Sequence, residues 1–168
     1  WLRSWSAEGL PHDECVKSLT NPIASDPTNP KFIERVKKNL YTLISSDEGC
    51  MNCDGFKVDF INCIPEGNNI ATCKRGIYGV EFIKEWLGLL YNTTKQIKPD
   101  ALLNVSCAHP YLAEVADQIR LHDIHGETCD SCAIMGYRAD IVKAVYPGVT
   151  IDTDSGGVYL DVTHLKSE

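Results

Sequence analysis

The sequence lacks what a membrane-spanning or nucleic-acid-binding protein needs. No apolar run approaches the ~20 residues of a transmembrane helix. There is no basic surplus either. The 168 residues carry 16 Lys and Arg against 23 Asp and Glu, a net charge of −7, and no Lys/Arg stripe stands out. Such a chain is a poor counterpart for a phosphate backbone or an anionic bilayer. No glycine-rich phosphate loop follows any strand-like run: FKVDFINC, LLNVSCAHP and IRLHDIHG all lack the G-x-G-x-x-G spacing. The first residue is Trp1 rather than a methionine, and the chain stops at LKSE, so the expectation is a piece of a longer protein. Eight cysteines are many for a cytosolic enzyme but too few for a disulfide scaffold. The compartment stays open, with the cytoplasm slightly favoured.

What is present is an alternation of helix and strand. Residues 1–29 show little periodicity and read as loop, with Gly9, Pro11, Pro27 and Pro30 as breakers. A helix begins after Thr28 or Asn29, with Pro30 at its first position. Its apolar stripe is Phe32, Ile33, Val36, Leu40, Leu43 and Ile44. A second helix spans about 78 to 97, with Val80, Ile83, Leu87, Leu90, Thr94 and Ile97 on one side. A third spans about 128 to 146, with Ile134, Tyr137, Ile141 and Val145 expected inward. Strands are expected in DGFKVDF, ALLNVSC, ADQIRLHDI and VTID. Strands separated by crossover helices argue an α/β protein with a parallel sheet. Polar residues gather at the C-terminal ends of these strands: Asp59 and Asn62, Ser106 and His109, His122 and Asp123, Asp152 and Asp154. That is where barrels and open α/β sheets both keep their chemistry.

The stretch CDGFKVDFINCIP, 53–65, is the most informative. Phe56, Val58 and Phe60 alternate with Lys57 and Asp59, so the two charges leave one face of the strand. A solvated salt-bridged pair is the plain explanation. Against it, a strand between two crossover helices is covered on both sides. In a barrel the phenylalanines and the valine face the helices, and Lys57 and Asp59 face the axis. A carboxylate beside an ammonium suits a nucleophile or an electrostatic stabiliser.

DGFKVDF followed by Ile-Pro resembles the nucleophile strand of the retaining α-glycosidases of glycoside hydrolase families 27, 31 and 36, the α-galactosidases, α-glucosidases and α-xylosidases. The segment RLHD is similar to the acid/base segment of the family 27 enzymes. The likeness covers roughly residues 50–155. It implies a (β/α)8 TIM barrel, here a partial barrel of about strands four to seven or eight, with residues 1–168 a fragment of one catalytic domain. It implies Asp59 as nucleophile and Asp123 as acid/base, with Lys57, Arg120, Asn62, His109, Asp152, Asp154 and Trp5 around an α-glycoside or oligosaccharide. No cofactor or metal is implied, nor a nucleic-acid or membrane partner. Self-association of the complete protein is left open. The chain departs from family 31 at Ile61-Asn62, where Gly-Glu is usual, and at Leu121-His122 before Asp123. Retention independently requires two carboxyl groups about 5–5.5 Å apart. Asp117 is the rival acid, but it starts its strand and falls at the far end of the sheet; Asp152 and Asp154 are the other rivals, read equally as substrate-binding or structural.

The competing reading is a zinc module built on Cys50-x-x-Cys53 and Cys129-x-x-Cys132. The first pair precedes a strand and the second follows one. A strand separates its ends by roughly 17–20 Å, far beyond a Zn–S bond of about 2.3 Å. Asn92-Thr-Thr and Asn104-Val-Ser match the glycosylation sequon, and chance is the better explanation of both.

Overall fold

The computed structural model describes residues 7–18, 21–59, 75–106, 109–121 and 131–153. They form two sheets. Strands β1 (Cys15–Ser18) and β2 (Asn21–Ser25) make an antiparallel hairpin, preceded by a 3₁₀ helix, His12–Glu14. Helix α1 (Pro30–Ile44) leads to the second sheet. This sheet contains β3 (Gly55–Val58), β4 (Leu102–Val105), β5 (Gln118–Arg120) and β6 (Thr150–Asp152), all parallel and in sequential order. Helix α2 (Gly79–Ile97) joins β3 to β4, and α3 (Ser131–Val145) joins β5 to β6. A 3₁₀ helix, Pro110–Val115, lies between β4 and β5. The protein is therefore α/β with a four-stranded parallel sheet. Among the described residues no helix is long and apolar enough to cross a membrane.

Helix α1 starts as its sequence dictates. The Asn29 side chain accepts from the Lys31 backbone N–H at 3.0 Å, and Pro30 occupies the first turn. Asn29 is also buried, and its amide donates to the Asp13 carbonyl at 2.5 Å. The cap thus ties the helix to the hairpin region. Arg35 adds two 2.7 Å bonds to the Glu14 carboxylate. These bonds hold Glu14 below the usual carboxylate range, against the cost of its burial. A lowered folded-state value stabilises the fold above about pH 4.5 and loses that stabilisation as pH falls through it. Glu14→Gln is expected to be less stable than wild type at neutral pH and to converge with it in acid. Denaturation midpoints across that range check this.

The core lies on one face of the sheet. Val58, Leu103, Val105 and Ile119 pack with Phe82, Trp86, Leu87 and Leu90 of α2, and with Met135 and Val142 of α3. Right-handed crossovers stepping in one direction leave their helices on one side, and the buried cluster agrees. Trp86 is fully buried and donates from Nε1 to Ser25 Oγ at 3.0 Å, which draws the hairpin onto α2.

Two expectations are corrected. The described part of residues 1–29 is not all loop: it contains the hairpin. Its strands are short, and the pairing shifts between Val16 and Lys17. Long-range bonds such as Trp86 to Ser25 hold it, and these leave no local pattern. The inward face of α3 is also different. Met135, Val142 and Tyr146 are buried, whereas Tyr137, Ile141 and Val145 are exposed. The helix carries two apolar stripes one residue apart, about 100° around its axis, and the sheet covers the other one.

Candidate functional site on the polar face of the sheet

The face opposite the core is polar because of strand alternation. Register places Lys57, Asn104, Gln118 and Thr150 in one row across the four strands. Two residues further on, Arg120 pairs with Asp152. Asp59 and Ser106 extend β3 and β4 to that same level, and the Ser106 N–H donates to the Val58 carbonyl at 3.2 Å. All of this lies at the C-terminal ends of the strands.

Two contacts span strands that are not neighbours. Arg120 Nη1, on β5, lies 3.8 Å from Asp59 Oδ1, beyond β3. Asn104 Nδ2, on β4, donates to Asp152 Oδ2 on β6 at 2.5 Å, and to Gln118 Oε1 at 3.0 Å. On a flat sheet, strands two apart lie roughly 9.5 Å from each other. The Asn104 and Asp152 side chains reach across β5 to close that gap. Burial follows: Asp59 is 9% exposed, Arg120 5% and Ser106 1%. Asp59 and Arg120 are opposite charges, largely withdrawn from water and close enough to compensate each other.

Lys57 is half-buried in the first polar row, as its alternation with Phe56 and Val58 requires. His109 is exposed beyond the end of β4. Its Nδ1 accepts from the Tyr111 N–H at 3.2 Å and caps the 3₁₀ helix. Asp117 is engaged at the opposite end of the sheet. Its Oδ2 accepts from the Leu103 N–H at 2.8 Å, and Lys95 lies 2.9 Å from its Oδ1. That is a structural clamp at the start of β5. Asp123, Asn62, Asp154 and Trp5 lie outside the described residues.

Asn104 is the residue whose importance the sequence hid. It was legible as an alternating polar position in a strand, but not as the bridge between Gln118 and Asp152. The two cysteines of the first C-x-x-C pair are half-buried free thiols in the turn before β3. Lys98 Nζ bonds Asn52 Oδ1 and Asp54 Oδ1 there, at 3.0 and 2.6 Å. Cys129 and the Cys132 side chain lie outside the described residues. Among the described residues, no group of three or more His, Cys, Asp or Glu could hold a metal ion.

A cleft of about 700 Å³ lies elsewhere, on the helix side, lined in part by Lys37, Lys84, Glu85, Asn92, Tyr111 and Glu114. It shares no residue with the polar face. Two ion pairs lie on its own rim, Lys84 to Glu114 at 3.3 Å and Arg75 to Glu85 at 2.7 Å. The polar face, not this cleft, holds the buried Asp59 carboxylate and Arg120 guanidinium. No family model, curated protein or solved structure matches the chain.

Proposed function

We propose that this chain belongs to the (β/α)8 TIM barrel of a retaining α-glycosidase. The observation that carries the reading is Asp59 held near Arg120 at 3.8 Å on the polar face of a sequential parallel sheet. A barrel wall has this order, with helices outside and polar strand ends at the mouth. A doubly wound sheet reverses direction at a switch point, and these four strands show no reversal.

In the mechanism, Asp59 attacks the anomeric carbon and the glycosidic C–O bond breaks. Asp123 gives its proton to the leaving oxygen. Asp123 then takes a proton from water, the water attacks the glycosyl–Asp59 ester, and the carboxylate is restored. Arg120 orients the Asp59 carboxylate. Lys57, Asp152, Asn62, His109, Asp154 and Trp5 are the proposed contacts to the sugar.

The test is stereochemical. The complete protein is incubated with aryl α-glycosides, and the first-formed sugar is observed by proton NMR. The α-anomer is expected first, mutarotating afterwards. Initial appearance of the β-anomer contradicts the double displacement. No cleavage of any aryl α-glycoside, together with stoichiometric bound zinc, favours the cysteine zinc module instead.

A further inference from the structure

Among the described residues, two polar atoms on the candidate face have no hydrogen-bond partner: Ser106 Oγ and Asn104 Oδ1. Ser106 is 1% exposed. Buried hydroxyls are nearly always bonded, because an unmade buried hydrogen bond is a standing cost to the folded state. Position makes the orphan informative. Ser106 and Asn104 are two residues apart on β4, so alternation puts both on the polar face. Ser106 sits at the level of Asp59 and Arg120, on the strand between theirs. Both amide hydrogens of Asn104 are directed to Gln118 and Asp152, which fixes Oδ1 as the atom left to accept.

We infer that Ser106 Oγ and Asn104 Oδ1 read hydroxyl groups of a neutral polyhydroxylated ligand next to Asp59. Ser106 can donate or accept, and Asn104 Oδ1 only accepts. A sugar hydroxyl matches both, because it also donates and accepts. An anionic ligand is disfavoured at this level by the Asp59 and Asp152 carboxylates and by the carbonyl oxygen of Asn104. A ligand cation is disfavoured by Arg120 at the same level of the neighbouring strand. The inference deepens the glycosidase reading and rests on it for the identity of the ligand as a sugar.

The experiment compares the complete wild-type protein with Ser106→Ala, by calorimetric titration with D-galactose, D-glucose and D-xylose and by unfolding without sugar. Wild type is expected to bind at least one of the three, and Ser106→Ala to bind it roughly tenfold more weakly, the loss of one neutral hydrogen bond. Without sugar the variant is expected to unfold at the same temperature as wild type or higher, since it discards an unsatisfied hydroxyl. Equal affinity in the variant overturns the assignment and leaves the glycosidase reading intact. A lower unfolding temperature without sugar also overturns it, by showing that the hydroxyl is structural. Absence of binding to wild type overturns it as well. Sugar binding that weakens in the variant, with no glycoside cleaved by wild type, supports Ser106 and sinks the hydrolase.

Discussion

Asp59→Asn is expected to lower turnover of an aryl α-glycoside by roughly 10⁴- to 10⁶-fold, the range seen when a nucleophile or its essential partner is removed. The substitution keeps the volume of the side chain. Its amide fills the place of the carboxylate beside Arg120, whose Nη1 lies 3.8 Å from Asp59 Oδ1 in the wild type. The fold should survive, and circular dichroism of the variant checks that. What is lost is the carboxylate proposed to form the bond to the anomeric carbon. Because binding contacts elsewhere on the face remain, the loss is expected in kcat rather than KM. A variant within tenfold of wild-type turnover contradicts the assignment. Arg120 does not substitute for the lost group, since it is the cation beside the proposed nucleophile and not a nucleophile itself.

The second large effect is on folding. Gly55→Ala is expected to destabilise the protein by about 4 kcal/mol or more, a size reached only through severe steric or burial faults. Gly55 opens β3 at φ +149°, and a Cβ added there would lie 2.0 Å from the Leu102 carbonyl oxygen and 2.7 Å from its nitrogen. Both atoms are backbone, so no rotamer change relieves the contact. The strands must part, and with them the 2.9 Å bond from the Leu102 N–H to the Asp54 carbonyl. Gly49→Ala is the control. Gly49 also has positive φ, but a Cβ there meets nothing within 4 Å. Its cost is the left-handed backbone alone, about 1–2 kcal/mol. Urea denaturation of the two variants separates close approach from backbone strain. If Gly55→Ala is no worse than Gly49→Ala, the tight pairing of β3 with β4 is wrong. Asp59 then loses the strand that positions it.

Local signals carried much of this architecture. The Asn29 cap, Pro30 and the stripe through Leu40 announce α1, because capping and amphipathicity are decided within a few residues. The alternation of Phe56 and Val58 with Lys57 and Asp59 announces both the strand and the two characters of the sheet. The C-terminal ends of successive strands point to where polar groups collect, and Asp117 falls at the other end as its place in the chain requires. The remainder depends on distance in sequence. Asn104 meets Asp152 across 48 residues, from β4 to β6, because the sheet order sets those strands two apart. The Trp86 to Ser25 bond spans 61 residues and fixes a hairpin with no periodicity of its own. Helix α3 carries two apolar stripes, and only the sheet beneath it selects Met135 and Val142 over Tyr137 and Ile141. Asp123, the other half of the proposed chemistry, was read from its likeness to an acid/base segment and lies outside the described residues.

The central claim is that Asp59 bonds to the sugar. The most direct measurement uses a fluorinated α-glycosyl fluoride that forms the glycosyl ester quickly and releases it slowly. The treated protein is digested, and the labelled peptide is sequenced by tandem mass spectrometry. The account predicts one sugar per chain, attached to the Asp59 carboxylate. A label on Asp152 or another carboxylate, or turnover of the reagent with no covalent adduct, would contradict it.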